Sequence, residues 1–111
     1  MGNLVVDDGA PYLIDFDDAG HGFHAFDLAV AINEYFATPE YDAIADDLLT
    51  GYARIRPKQT QALREWLPIF HIVRTCSLVG WLADRPELGR KDHFELFPSI
   101  ALDAAARLNI I

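Results

Sequence analysis

The chain has 111 residues, of which 51% are hydrophobic and 23% charged, and its formal net charge is −8. This composition is typical of one globular domain and excludes a disordered chain. Residues 1–53 contain eleven acidic residues and no Lys or Arg. An acidic surface repels phosphate backbones and attracts divalent cations, so we expect no nucleic-acid partner.

The single cysteine, Cys76, excludes an internal disulfide framework and fits a reducing compartment. Its apolar neighbours predict a buried thiol. The longest apolar stretch, residues 67–83, is interrupted by polar side chains such as His71 and Arg74. We therefore expect no transmembrane helix. Residues 1–6 lack the positive segment of a signal peptide, and the expected location is the cytoplasm.

The first elements in the chain are two predicted strands, residues 4–6 and 12–16, which flank a turn at Gly9. With the turn centred on Gly9, Leu4 faces Ile14 and Asn3 faces Asp15. Directly opposed residues in a hairpin have Cβ atoms about 4.5–5.5 Å apart. An amide oxygen and a carboxylate at that separation suit Mg²⁺, although Asn and Asp are also common at strand ends without binding metal.

After a loop with His21 and His24, the pattern becomes helical. The predicted helices cover residues 24–37, 38 to about 52–54, 58–84 and 92–108. Thr38 is the expected N-cap of the second helix, Pro68 is expected to kink or divide the third, and Pro98 lies inside the fourth. The sequence thus predicts a mainly α fold with a small β-hairpin.

Three segments share a pattern with a known family. They are Gly-Asn-Leu-Val-Val-Asp-Asp-Gly at 2–9, Tyr-Leu-Ile-Asp-Phe-Asp-Asp at 12–18 and Asp-Leu-Ala at 27–29. Together they resemble the aminoglycoside phosphotransferase and choline kinase superfamily, which has the protein-kinase-like α+β fold. The resemblance implies one domain over residues 1–111, with a metal-site hairpin at 1–18 and a helical subdomain at 24–108 of the C-lobe.

By this resemblance, Asn3 matches the catalytic-loop Asn and Asp15 matches the metal-binding Asp, and the two hold the Mg²⁺ that accompanies ATP. Independently of the resemblance, Asp17 and Asp18 follow directly in the sequence and could add negative charge through water. Asp27 matches an acid that braces the catalytic loop; taken alone, it is also an ordinary acid in a first helical turn. A weaker likeness around residues 51–57 points to the homoserine kinase-like or stress-kinase-like branches.

The family's general base lies five residues before the Asn and so precedes Met1, and no Gly-rich phosphate loop occurs in the sequence. We therefore expect a C-terminal fragment that contains no catalytic base and is inactive alone. The parent enzyme is expected to phosphorylate a small-molecule hydroxyl, with the acidic half favouring an amine-bearing acceptor. Without an N-lobe the hairpin is exposed, which predicts a homodimer or higher oligomer through it.

Several alternatives remain open. A helical interaction or scaffold domain without catalysis would use the same fold. The Asp-x-Asp at residues 15–17 also fits a phosphohydrolase that uses an Asp nucleophile on a parallel sheet. An EF-hand is a poor match because Phe26 stands where a Glu is needed. The four histidines lack ligand spacing and are expected to be solvated or capping. Four aromatic residues are expected in the core more than in an acceptor pocket, namely Tyr52, Trp66, Phe70 and Trp81.

Overall fold

The computed structural model describes residues 3–15, 20–89 and 92–110. It contains a two-stranded antiparallel hairpin followed by a bundle of helices, so the prediction of a mainly α fold with a small hairpin is confirmed. The elements are β1 (Leu4–Asp7), β2 (Ala10–Leu13), α1 (His24–Ile32), α2 (Tyr41–Ala53), α3 (Thr60–Ala83) and α4 (Asp92–Arg107).

The hairpin turn consists of two residues, Asp8 and Gly9, with φ of 48° and 75°. Positive φ at both central positions is the type I′ geometry, whose twist matches that of the strands and which Asp-Gly favours. The resulting register pairs Leu4 with Leu13 and Asp7 with Ala10. The predicted register, with Leu4 opposite Ile14, is therefore wrong by one residue because the turn is one residue shorter than expected.

Helix α1 buries one face, formed by Ala25, Leu28, Ala29 and Ile32, and packs chiefly against α3. It ends at Ile32 and passes into a 3₁₀ turn over Asn33–Tyr35, so the predicted helix 24–37 was too long. Ala37, at a φ of 64°, is incompatible with a continuing right-handed helix.

Helix α2 begins at Tyr41, two residues after Pro39, the expected first helical residue. Thr38 is not its N-cap, because the Thr38 hydroxyl donates instead to the Tyr35 carbonyl at 2.6 Å. No side chain caps this helix. Its end at Ala53, ahead of Pro57, agrees with the prediction.

Helix α3 runs without interruption through Pro68, which is buried, so the proline does not divide it. A 3₁₀ turn, Pro57–Gln59, leads into it. Helix α4 likewise continues through Pro98. Both helices lie within two residues of their predicted bounds.

The exposed side of α3 contradicts three predictions of burial. Cys76 is exposed, and Trp66 and Trp81 are 54% and 48% exposed. The buried side of the same helix instead includes Leu67 and His71, both within the core that joins α1, α2 and α4.

By length and composition, one described helix, Pro57–Ala83, is sufficiently long and apolar to cross a membrane. We had expected none, because polar residues interrupt this stretch. A core helix of a soluble protein meets the same two criteria, and α3 contacts both α1 and α4.

Candidate functional site

Asn3 and Asp15 lie at the open end of the hairpin, and both are exposed. The amide N–H of Ile14 donates to the Asn3 carbonyl at 3.0 Å, which extends the ladder one pair beyond the strands. The register therefore places Ile14, and not Asp15, directly opposite Asn3. The predicted Asn3–Asp15 cross-strand pair is wrong, whereas the role of the two residues as metal ligands stays a prediction.

Asp15 has a left-handed backbone, with a φ of 65°. This conformation costs a non-glycine residue about 1–2 kcal/mol, and Asp is among the residues that tolerate it best. It ends the extended strand, so the alternation of side chains along β2 does not continue through Asp15. Strained residues cluster at functional sites, which makes this backbone a pointer to function. Asp17 and Asp18 lie outside the described residues.

The available donors suit a metal ion whose coordination is completed by phosphates and water, and not one held by protein side chains alone. In the described part of the chain, no group of three or more His, Cys, Asp or Glu side chains is placed to hold a metal. One amide oxygen and one carboxylate are nevertheless hard donors, and Mg²⁺ commonly takes one or two protein ligands beside phosphates and water. Asn3 and Asp15 fit that chemistry.

Asp27 lies in the first turn of α1 and is exposed. There its carboxylate interacts favourably with the positive end of the helix dipole. It lines an open cleft of about 540 Å³ together with the segment 20–24 and Phe26. The catalytic loop that it is expected to brace would precede Asn3 and lies outside the described residues.

An apolar groove of about 590 Å³ adjoins this cleft, and Phe23 and His24 line both. Its other walls include Trp66 and Phe70 of α3, and the Phe70 ring lies 5.7 Å from that of Phe23. Lys58 is the one lysine of the lining. The sequence predicts the core for these two α3 aromatics. Phe70 is partly buried and packs against the core, as predicted, whereas Trp66 is 54% exposed.

The other two aromatic residues considered as pocket residues do not line this groove, although Tyr52 contacts His24, which does. The Tyr52 hydroxyl is 2.8 Å from Nδ1 of His24. Trp81 lies under the guanidinium of Arg85, which is 4.3 Å from the ring centre. Such cation–π contacts at exposed positions contribute modestly.

His71 is fully buried, contrary to the prediction of solvated histidines. Its Nδ1 lies 2.9 Å from Oδ1 of Asn33 and its Nε2 lies 3.0 Å from the Tyr41 hydroxyl. Because the amide oxygen only accepts, Nδ1 carries the proton and Nε2 accepts from the tyrosine. The Phe36 ring stacks on the imidazole at 4.1 Å. The network ties α3 to the end of α1 and the start of α2.

Burial, with a smaller contribution from the positive Arg107, lowers the pKa of His71 from 6.5 to about 4. Burial likewise raises the pKa of Tyr41 from 10.0 to about 12. Both groups are therefore neutral at pH 7. A neutral, fully hydrogen-bonded pair in the core has a structural role, because it joins α3 to the start of α2.

Arg107 of α4 joins this helix to the start of α2. Its guanidinium donates to Asp42 at 2.7 Å and to Asp103 at 2.7 Å. The hydrogen bond to Arg107 lowers the pKa of Asp42, and the same bond raises the pKa of Arg107. A second ion pair joins Arg64 to Asp46. The Arg64–Asp46 pair is exposed on both sides and contributes little to stability, whereas Arg107 and Asp103 are partly buried.

Comparison with known protein families gives a match over the first part of the chain. Residues 1–66 match the model of the phosphotransferase enzyme family (APH), which covers more than half of the chain. The matched stretch includes Asn3, Asp15 and Asp27 and ends within α3. No curated protein and no solved structure gives a match.

Proposed function

Because the chain belongs to the phosphotransferase enzyme family, we propose that it forms the C-terminal, metal-holding part of an ATP-dependent kinase of small-molecule hydroxyls. The observation that carries this proposal is the family match over residues 1–66, which includes both Asn3 and Asp15.

In this proposal, Oδ1 of Asn3 and the carboxylate of Asp15 hold a Mg²⁺ ion at the open end of the hairpin. When bound, the ion neutralises charge on the phosphate oxygens of ATP. The positive φ of Asp15 turns the chain sharply after β2 and so directs its carboxylate independently of the strand. Asp27, one turn into α1, braces the loop that precedes Asn3.

The general base and the phosphate-binding loop are supplied from outside these 111 residues. The sequence contains no His-Gly-Asp and no Gly-x-Gly-x-x-Gly. Phosphoryl transfer depends on positioning and on stabilisation of charge, and two metal ligands provide only a part of either. We expect the chain alone to bind metal weakly and to transfer no phosphoryl group. A fragment of a longer kinase and a separate N-lobe chain both satisfy this proposal.

The acceptor is assigned to the apolar groove beside Asp27. Trp66, Phe70 and Phe23 provide an apolar wall, and the acidic first half of the chain favours an acceptor that carries an amine. The proposal includes the homoserine kinase-like or stress-kinase-like branch, which the likeness around residues 51–57 supports. The Gly-Tyr pair at its start lies in the last turn of α2.

Metal binding is tested by isothermal titration of the chain with Mg²⁺ in the presence of ATP. The proposal predicts weak, saturable binding of Mg²⁺. Asn3→Ala and Asp15→Asn should each lower the affinity at least tenfold. Asp7→Asn is the matched control, because Asp7 is an exposed carboxylate of the same hairpin away from its open end. Equal binding by D7N and D15N would contradict the assignment, and no binding at all would favour the scaffold alternative.

The acceptor is tested with a version of the protein joined to a kinase N-lobe and catalytic loop. We expect amine-bearing alcohols to be phosphorylated faster than uncharged alcohols, and Trp66→Ala to raise KM for them. Faster transfer to uncharged alcohols would reject the amine preference. The phosphohydrolase alternative is disfavoured by the antiparallel hairpin, because that chemistry requires a parallel sheet.

Association through the hairpin is part of the proposal, as is a cytoplasmic location. The hairpin exposes a row of large apolar side chains, namely Leu4, Val5, Val6, Tyr12, Leu13 and Ile14. An isolated two-stranded hairpin is marginally stable in water and is stabilised by a covering surface. Light scattering should give a homodimer that Leu13→Lys converts to a monomer. A monomer at all concentrations would contradict it.

A further inference from the structure

The connection between α2 and α3 is a basic segment in an acidic chain. Residues 51–64 contain no acidic residue, whereas the net charge of the whole chain is −8. Arg54, Arg56 and Lys58 are exposed, and in the described part of the chain none of the three forms an ion pair. Because no carboxylate neutralises these three cations, this end of the helical body has a positive surface.

An apolar side chain projects from the middle of this basic segment. Ile55 lies between the two arginines and is 81% exposed. The backbone around it is hydrogen-bonded locally, because the amides of Ile55 and Arg56 donate to the Tyr52 carbonyl at 3.1 and 3.0 Å. Unpaired amides would oppose entry into an apolar phase. The turn can therefore bring the Ile55 side chain to such a phase without exposing these two amides to it.

Two exposed aromatic side chains line the same groove as Lys58. They are Phe23 and Trp66, which are 75% and 54% exposed. Among the described residues, no acid lines that groove, and Asp27 lines the adjoining cleft. Tryptophan, with an apolar ring and a polar N–H, is enriched where a membrane meets water. Basic side chains among exposed apolar ones are typical of a protein surface that lies on a membrane.

We propose that this end of the protein docks on the surface of an anionic lipid bilayer. Arg54, Arg56 and Lys58 lie against the anionic headgroups, and the Ile55 side chain inserts among them. Charge complementarity selects this partner, and the acidic remainder of the chain is repelled by the same surface, which orients the protein. A fluid bilayer accepts apolar side chains that stand apart, whereas a protein partner needs a matching pocket for each.

Docking on the surface requires no spanning helix. The inference also does not rest on the proposed phosphotransferase activity, because none of the residues that carry it is a candidate metal ligand.

The first test is flotation of the chain with two kinds of vesicle, phosphatidylcholine alone and phosphatidylcholine with about one third phosphatidylserine. Binding should require phosphatidylserine and should weaken as NaCl shortens the Debye length. Each basic residue at an anionic surface contributes about fivefold, so the double variant Arg54→Gln, Arg56→Gln should lower partitioning about thirtyfold. Equal binding to both vesicles, or no binding to the anionic ones, would overturn the proposal.

The matched control removes two charges elsewhere. Arg74 and Arg85 lie about 20 Å or more along α3 from Lys58, beyond the Debye length at physiological salt. The double variant Arg74→Gln, Arg85→Gln has the same net charge as the double variant of the docking segment, and it should change partitioning by less than about twofold. Equal losses in the two double variants would mean that net charge alone governs binding, which would overturn the proposal.

Insertion of Ile55 has its own readout. Ile55→Ser should weaken binding to the anionic vesicles at every NaCl concentration and leave the salt dependence unchanged. Unchanged binding of I55S would reject insertion. Displacement of the chain from the vesicles by poly-L-glutamate at matched charge would assign the cations to an acidic protein and would likewise overturn the proposal.

The two tryptophans report the orientation of the docked protein. Trp66 and Trp81 are both exposed and lie about 22 Å apart along α3. In Trp81→Phe, brominated phosphatidylcholine in the anionic vesicles should quench the fluorescence of Trp66. In Trp66→Phe, the fluorescence of Trp81 should remain unquenched. Far-UV circular dichroism checks that each variant is folded. Equal quenching of the two tryptophans, or no quenching of Trp66, would overturn the proposal.

Discussion

The hairpin and the helical body differ in what determines their shape. In residues 3–15, every side chain is exposed except that of Ala10, which is half-buried. The body instead has a continuous core in which Ala29 and Ala104 are 0% exposed and His71 is fully buried. Packing therefore maintains the body, whereas the conformational preferences of Asp8 and Gly9 determine the hairpin.

The comparison bears on function, because the candidate metal ligands lie on the part with little packing. Asn3 and Asp15 are positioned by a two-residue turn and a short ladder. A hairpin of two strands is marginal alone, so we expect it to open without unfolding the body. Substitutions in the hairpin should therefore leave the stability of the body nearly unchanged, whereas substitutions in the core of the body should lower it.

The largest difference is expected between two leucines. Leu67 is 2% exposed and Leu13 is 65% exposed. Leu67→Ala should lower the free energy of unfolding by about 3 kcal/mol, through lost burial and a residual cavity. Leu13→Ala should change the free energy of unfolding of the monomer, measured below the concentrations at which the hairpin associates, by less than about 0.5 kcal/mol. Urea denaturation followed by far-UV circular dichroism measures both. Similar losses would mean that the hairpin is packed against the body.

A pH effect of similar size is expected from the body alone. Since the pKa of His71 falls from 6.5 to about 4 on folding, the unfolded chain takes up this proton first as the pH decreases. Neutral His71 therefore contributes to the free energy of unfolding in full above pH 6.5. This contribution is lost progressively towards pH 4, by about 3 kcal/mol in total.

Urea midpoints between pH 7 and 4.5 measure this loss. His71→Gln should flatten the dependence, while His21→Gln, at an exposed position, should retain it. If the urea midpoint of H71Q still depended steeply on pH, the loss of stability at low pH would come from groups other than His71.

A smaller effect on stability is expected from the same change, glycine to alanine, made once in the hairpin and once in the body. Gly9 has a φ of 75°, so Gly9→Ala should destabilise the hairpin by about 1 kcal/mol and speed amide exchange at Tyr12. Gly51 lies within α2 with no heavy atom near the position of an added Cβ. Gly51→Ala should stabilise the body by about 0.5–1 kcal/mol. The same sign for both would contradict the separation.

The sequence predicted the element order and most helix bounds, because apolar periodicity and prolines are local signals. The hairpin register was mispredicted although the signal was present: Asp-Gly between two strands favours a two-residue turn, which moves each pair by one. The candidate ligands were found by resemblance, and the local backbone of Asp15 could not be inferred from the residue type.

Burial on α3 was mispredicted because apolar character was weighed without helical phase. At about 100° per residue, Trp66 and Cys76 lie about 140° from the centre of the face that buries Leu67 and His71. The burial of His71 depends on its hydrogen bonds to Asn33 and Tyr41, which lie 38 and 30 residues away in sequence. A local sequence pattern cannot identify partners at such distances.

The central claim is that the open end of the hairpin holds the metal ion. Paramagnetic broadening of ¹H–¹⁵N NMR signals by substoichiometric Mn²⁺, with ATP present, tests it residue by residue. The account predicts that Asn3 and Asp15 broaden first and that Asp15→Asn removes the effect. Broadening centred on the acidic surface of α2, or unchanged in D15N, would contradict it.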